Sequence, residues 1–366
     1  MDTSDTKIKF DSDGICDHCN TFFKLIEPSW NYGENHENEI EILRRKITAQ
    51  GKNKDFDCIL GMSGGTDSSY LTYFVKEILN LRPLVFHVDA GWNTKESVNN
   101  IERIVNSLNL DLFTEVINWE EMKDLQVSYL KSGVPHIDSP QDHAYFTTMY
   151  KFASKNNIKT ILTGGNYSTE CIRNPLEWMY YQSDATQLRD IQKKFGTIKL
   201  TSFPTTNILW HKIWLPYFRN IKLYRPLDLI PYIKEDAQKL LMEKFGWKPY
   251  KQKHFESRFT KFYESFWLYE RFGYDVRRVQ FSSLILTNQM TREKALEELE
   301  KPPYTKSSLE KDKEFISNKL DITVNELDEY FNLDKKNFKD FKNQSMIYSI
   351  GEYFMTKLSL KKGGKR

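Results

Sequence analysis

The sequence predicts an α/β fold: a doubly wound parallel sheet with a short N-terminal metal-knuckle-like segment and a helical C-terminal region. Three observations predict it. Strand-like and helix-like segments alternate through residues 55–245, the pattern of a parallel sheet covered on both faces. The first strand-like run, Phe56-Asp57-Cys58-Ile59-Leu60-Gly61-Met62, passes through Ser63-Gly64-Gly65-Thr66-Asp67-Ser68-Ser69 into Tyr70–Leu79, which has the apolar spacing of a helix. Glycines also recur after later strands, and sheets of this kind bind ligands at the carboxyl ends of their strands.

The elements follow in order. Strands are expected at 56–61, 83–88, 112–117 and 159–163, and helices at 67–80, 95–108, 119–132, 142–156 and 233–245. Residues 1–50 form a polar N-terminal segment ending in a helix near 37–49, residues 51–248 the sheet domain, and residues 249–366 a helical region. In the last of these, Phe255, Phe259, Phe262, Phe266 and Glu270 mark one continuous stripe. Segment 178–222 is rich in Trp, Tyr and Phe without a clean period and is expected to line a substrate pocket. The basic end, Lys361-Lys362-Gly363-Gly364-Lys365-Arg366, reads as a frayed tail.

Composition narrows the class. The 366 residues suit one large or two ordinary domains, and 39% hydrophobic with 14% aromatic content is ample for a core. A net charge of +3 does not by itself argue for nucleic acid. No stretch is long and apolar enough to span a membrane and no signal peptide is evident, so a cytoplasmic enzyme is the default. Four cysteines in a chain of this length argue against a disulfide framework.

Strand, glycine-rich turn and helix start make a phosphate cradle. Gly64 and Gly65 let the backbone approach an anion, first-turn N–H groups point at it, and Ser63, Thr66, Ser68 and Ser69 add hydroxyl donors. No Gly-Lys-Ser/Thr follows, so this is not the Walker loop. The string resembles the Ser-Gly-Gly-x-Asp-Ser loop of the ATP pyrophosphatases, the PP-loop superfamily with the adenine nucleotide alpha hydrolase-like fold. That resemblance implies a loop holding the β- and γ-phosphates while ATP is cleaved to AMP and pyrophosphate. Asp89, in Val88-Asp89-Ala90-Gly91-Trp92-Asn93, is then placed to meet adenine or ribose, and Gly164 and Gly165, before Asn166, let a nucleotide pack on the backbone. Asp142 and His143, after Pro140, are open to two readings, a charged helix start or part of a site.

Cys16 and Cys19 have the spacing of half a zinc knuckle, with His18 poorly placed to share the ion. Cys58 reads as a buried small hydrophobe, and Cys171 as either a packing residue or a group near the site.

Further strings converge on one family. Ile15–Cys19, the Ser63–Ser69 loop, Val88–Asn93 and Thr163–Asn166 are followed by Tyr224-Arg225-Pro226-Leu227 and Pro231-Tyr232-Ile233-Lys234. Then come Gly246–Tyr250, Lys253-His254-Phe255-Glu256-Ser257, Phe259–Tyr263, Phe272–Arg278 and Thr291–Leu296. Over roughly residues 1–305 the chain resembles the N-acetyl sugar amidotransferases of lipopolysaccharide and nonulosonate acetamidino-sugar biosynthesis. The family usually carries a Cys-x-x-Cys pair upstream of a string like Met1-Asp2-Thr3-Ser4-Asp5. Met1 is therefore expected to be an internal methionine of a longer chain, which would gain that pair and bind about one zinc.

The resemblance implies adenylation of the N-acetyl group of a nucleotide-linked sugar, then displacement of AMP by ammonia to leave an acetamidino group. ATP and Mg²⁺ are the implied co-reactants, with zinc at Cys16 and Cys19. Asp67 is a candidate to assist the metal, or it caps the helix. His254 and Glu256 are candidates for the sugar or for proton handling, and Asn166, Arg277 and Arg278 for substrate recognition, the arginines through phosphates or a carboxylate. Each has a structural alternative. No glutaminase domain is recognisable, so separate glutaminase and cyclase-like subunits would supply ammonia; a homodimer is open. The alternative enzyme class is tRNA modification, a thiolase or lysidine synthetase-like enzyme, against which the near-neutral charge balance argues.

Overall fold

A computed structural model describes residues 1–30 and 36–357; the basic tail lies outside them. Five parallel strands form the sheet: β1 (Cys58–Gly61), β2 (Pro83–Asp89), β3 (Leu112–Val116), β4 (Thr160–Leu162) and β5 (Lys222–Tyr224), in the spatial order β3-β2-β1-β4-β5. The first four coincide with the expected strands. The fifth lies at the sheet edge, starting where the aromatic segment ends, and has no counterpart among the expected strands.

Alternation along the central strand divides the core. Cys58 and Leu60 of β1 face one layer, with Leu71, Ile101, Ile104 and Leu241. Ile59 faces the other, with Met122, Leu125, Met149 and Leu188. Helices Thr66–Tyr73, Lys95–Ser107 and Lys234–Phe245 thus cover one face, and Trp119–Ser132, Ser139–Lys155 and Ala185–Phe195 cover the other. The sheet is doubly wound: its central strands β1, β2 and β4 are buried, while the edge strands β3 and β5 are partly exposed.

The C-terminal helices are not a satellite. Phe259, Phe262, Trp267, Ile316 and Leu327 belong to the same buried cluster as Ile59 and Phe86. Backbone bonds fix this region to the end of β2: Thr94 N–H donates to Glu256 O (3.0 Å) and Arg258 N–H to Trp92 O (2.9 Å), flanking a bridge between Asn93 and Ser257. The N-terminal segment packs Phe22, Ile26 and Trp30 against Ile172, Trp178 and Val279. No helix among the described residues is long and apolar enough to cross a membrane.

Candidate active site

The strand order reverses between β1 and β4, the switch point where such sheets open a crevice. Both flanking loops are glycine-built for close approach. Gly64 has φ +81°, and a Cβ there would lie 2.6 Å from Ser97 O. Its carbonyl is held by Trp247 Nε1–H (3.0 Å) and the Tyr250 hydroxyl (3.2 Å). Across the crevice, a Cβ on Gly164 would stand 2.7 Å from the Asp67 carbonyl carbon and the Ser68 nitrogen, so the β4 loop rests directly on the start of the phosphate-loop helix. Helix Thr66–Tyr73 begins at an extended Gly65, and its first intrahelical bond is Ser69 N–H to Gly65 O (3.1 Å). The N–H groups of Thr66, Asp67 and Ser68 precede that bond and are the orphan donors of the helix.

These residues line a cavity of about 910 Å³ together with Lys234, Lys253, His254 and Glu256. Asp67 does not cap its helix. Its Oδ1 accepts from the Tyr232 hydroxyl (2.6 Å) and its Oδ2 from Lys253 Nζ (3.1 Å). Burial works against the Asp67 carboxylate, but the charges of Lys253 and Lys234 outweigh it and hold the group below the usual carboxylate range. Lys253 also pairs with Glu170 (2.5 Å); burial disfavours its ammonium, and the two carboxylates reverse this and push it above the ordinary lysine value. Burial lowers Lys234, the second cation at the cradle. Ser63 Oγ donates to Glu256 Oε1 (3.2 Å), which puts a carboxylate at the mouth of the loop.

His254 sits in the left-handed region at φ +66°, an uncommon conformation for a residue with a side chain. Its Nδ1 lies 2.8 Å from Glu264 Oε1. Burial favours neutral imidazole, but the Glu264 charge outweighs it and raises His254 to about 9. Behind this pair, Asp138 accepts from Thr260 Oγ1 (2.7 Å) and burial lifts it to about 6. Burial and the Asp138 charge push Asp142 well above the usual carboxylate range, and it accepts from Gln182. Asp142 lines neither cavity, and His143 is buried with its Nδ1 against Gln182 O (2.9 Å).

A second cavity, of about 860 Å³, shares Glu170, Lys253 and His254 with the first. Its walls include Tyr150, Met179, Tyr180, Tyr181 and His211 from the aromatic segment and the helix facing it, and Arg173 and Arg225. Lys253 and His254 thus stand between a phosphate cradle and an aromatic chamber.

The structure brings Ser63, Gly65, Thr66, Asp67, Ser68, Gly164, Gly165, His254 and Glu256 to one cavity, with Gly64 beneath it. Other expected residues are engaged elsewhere. Ser69 is wholly buried and outside the cavity wall. Asp89 holds its own turn, accepting from Gly91 N–H (2.8 Å) and Asn93 Nδ2 (3.1 Å). Asn166 caps a helix turn, accepting from Thr169 N–H (2.9 Å) while donating to Gly164 O (2.9 Å); it has no exposure and cannot meet substrate as it stands. Arg277 is buried, with Asp275 across a 2.7 Å pair and the carbonyls of Glu298 and Lys301 on its other nitrogen. Arg278 pairs with Asp2. Neither arginine lines either cavity.

Cys16 and Cys19 lie with Sγ atoms 3.5 Å apart. His18 Nε2 meets Asp5 Oδ2 at 2.8 Å instead of turning toward them. No group of three or more His, Cys, Asp or Glu suited to a metal ion occurs among the described residues. Two thiols make half of a structural zinc site, as the spacing of Cys16 and Cys19 predicts, and the described residues supply no further ligands to complete it. Cys171 takes its packing role, buried in the cluster with Phe22 and Ile26.

Lys234, Lys253, Tyr232, Glu170 and Glu264 carry much of this geometry and had no role assigned from sequence. The signal available was position: Tyr232 and Lys234 follow the last strand and open a helix, and Lys253 precedes His254 in a string already singled out.

Comparison with known proteins adds the following. Residues 256–356 match the family model described as "LPS biosynthesis protein WbpG-like, C-terminal domain". The match bears out the resemblance to a lipopolysaccharide-biosynthesis family, and of the residues, roughly 1–305, over which that resemblance runs it covers 256–305. An uncharacterized protein of Methanocaldococcus jannaschii is 24% identical over 323 residues, 84% of this chain and 94% of that protein. Among solved structures, an NH3-dependent NAD synthetase from Campylobacter jejuni shares 14% identity at a TM-score of 0.32, over 72% of this chain and 97% of that one. The U34-tRNA thiolase NcsA from Methanococcus maripaludis shares 14% at 0.31, over 69% and 79%. An NMN synthetase from Francisella tularensis shares 11% at 0.31, over 72% and 96%.

Proposed function

We propose that this chain is an ATP-dependent amidotransferase that converts an N-acetyl group of a nucleotide-linked sugar into an acetamidino group, for surface-polysaccharide synthesis. The observation that carries the proposal is the meeting of two cavities at Lys253 and His254, one a phosphate cradle and the other an aromatic chamber. The C-terminal family match supports the sugar-related part.

The chemistry needs both chambers. An amide carbonyl is a poor electrophile, and ammonia would have to expel an oxide. Attack of the amide oxygen on the α-phosphorus forms a P–O bond and releases pyrophosphate. Ammonia then adds to the imidate carbon, the C–O bond breaks, AMP leaves with that electron pair, and the amidine remains. In this proposal the Gly65–Ser68 backbone holds the β- and γ-phosphates, while Lys234 and Lys253 stabilise the leaving pyrophosphate. Asp67 and Tyr232 fix Lys253 at the junction. Glu256 is the carboxylate best placed to join phosphate oxygens around Mg²⁺, an ion usually held by one or two carboxylates plus substrate phosphates; when bound, it would neutralise phosphate charge. In this proposal the His254–Glu264 pair faces the amide; His254, held as the imidazolium by Glu264, is suited to giving a proton in the ammonia step and then taking one back.

Ammonia comes, in this proposal, from separate glutaminase and cyclase-like subunits. The test is an assay for AMP and pyrophosphate with a diacetamido sugar nucleotide, supplied with ammonium salt or with glutamine. Equimolar AMP, pyrophosphate and amidine with ammonium, and none with glutamine alone, is expected. Release of ADP, or stimulation by tRNA and not by the sugar, would overturn the assignment.

A further inference from the structure

We infer that this chain docks on an anionic membrane surface through the helix Trp210–Phe218 and the basic residues around it, without spanning the bilayer. The helix presents an apolar stripe to solvent: Leu209, Ile213, Trp214, Tyr217 and Phe218 are 47–71% exposed. Positions 209, 213 and 217, and 214 and 218, follow each other at i, i+4 and so share one face. Trp214 and Phe218 stack at 4.9 Å. The opposite side is anchored in the protein by Leu215, which is fully buried. A cluster of large exposed aromatics on one rigid face marks an interaction site and not ordinary surface scatter.

Charge selects the occupant. Residues 191–227 contain seven Lys or Arg and no Asp or Glu; two of the seven, Lys194 and Arg225, pair with Asp190 and Asp228 just outside the stretch. The cations gather where the helix ends. Lys159 Nζ donates to Arg219 O (3.0 Å), and Lys222, exposed on edge strand β5, follows three residues on. Lys159 is lowered by burial and by the charges of Arg219 and Lys54, with no carboxylate among the causes. Trp, Tyr and Phe at the level of the headgroups, flanked by Lys and Arg, is the chemistry of an interfacial helix. The core of a protein–protein interface is instead depleted of lysine.

The location has a purpose. His211 and Lys212 of this helix line the second cavity, as does Ser349 of helix Ser345–Lys357, which exposes Met346, Ile347 and Ile350. The second chamber therefore lies between two apolar faces. Docking would set its mouth beside the bilayer, whatever reaction it serves.

Co-sedimentation of the full chain with vesicles tests this. Vesicles of phosphatidylcholine with phosphatidylglycerol should retain the protein, pure phosphatidylcholine should retain much less, and Trp fluorescence should shift to the blue on binding. Trp214→Ser with Phe218→Ser should weaken retention by roughly tenfold or more, and Lys222→Gln by roughly fivefold. Raised salt should reverse binding, while ATP binding stays unchanged in each variant. No retention by either vesicle, or equal retention of wild type and the double variant, would overturn the inference. So would a dimer in sedimentation velocity that the double variant abolishes while vesicles bind neither form.

Discussion

Replacing Gly164 by alanine is expected to disable ATP cleavage by moving the phosphate loop, and the size of the effect follows from geometry. The new methyl carbon would stand 2.7 Å from the Asp67 carbonyl carbon and the Ser68 nitrogen, and 3.0 Å from Asp67 O, where ordinary contact begins at 3.4 Å. The difference of about 0.7 Å must be taken up by backbone on both sides, since no flexible side-chain end is involved. Overpacking of this kind costs about 1–3 kcal/mol. A site must be held to about 0.5 Å, and a misplacement near 1 Å costs about 10²-fold. The expected outcome is a 10- to 100-fold fall in kcat/KM for ATP, read by pyrophosphate release, with a lower Tm in calorimetry. Gly165→Ala is the control, because its methyl would meet nothing nearer than Glu170 Oε2 at 3.6 Å. If both variants behave alike in Tm and in KM for ATP, the close-packing argument is wrong.

Other outcomes follow from the ion pairs. Lys253→Met leaves Asp67 and Glu170 without their shared cation, so a loss of about 3 kcal/mol and a fall of at least ~10²-fold in pyrophosphate release are expected by denaturant titration and rate assay; wild-type ATP turnover would remove Lys253 from the mechanism. Glu264→Gln should let His254 drop from about 9 toward its ordinary value near 6.5, visible by NMR titration of the imidazole; an unmoved titration would mean that Glu264 is not its partner. In the wild type, His254 is raised in the folded state, so its stabilisation is complete below about pH 6.5 and disappears as pH rises through about 9. The full linkage is roughly 3 kcal/mol, and with 41% side-chain exposure screening trims it to about 1–2; a flat stability profile over that window would contradict it. Arg277→Ala should cost about 3–5 kcal/mol with KM for ATP and sugar unchanged in the folded protein. Arg278→Ala should alter neither KM; a selective rise in sugar KM for either arginine would restore it to substrate binding.

The sheet and the phosphate loop were legible because their information is local. Strand-like runs such as Pro83–Asp89 and the glycine turn at Gly64-Gly65 announce themselves over a few residues. Strand β5 did not, since Lys222-Leu223-Tyr224 lacks the apolar run of the equally short β4 and follows a helix with aromatics on several sides. The site residues divide on the same line. The capping of Thr169 by Asn166 is readable in Asn166-Tyr167-Ser168-Thr169 as a helix-start pattern, and the Arg277 pair in Asp275 two positions away. The pairing of Asp67 with Lys253 and Tyr232 was out of reach for the opposite reason. Their meeting depends on three elements packed by the fold, and no spacing in the chain encodes it.

The contact between Ser63 and Glu256 joins positions 193 residues apart. At a synthesis rate of 5–20 residues per second, the loop emerges roughly 10–40 s before the segment that furnishes Lys253, His254 and Glu256. A nascent chain thus carries the loop sequence well before the groups that complete the site, Trp247 and Tyr250 at the Gly64 carbonyl among them. A chain terminated in that interval would lack the groups proposed to drive ATP cleavage, so the proposed activity depends on the late arrival of the second half.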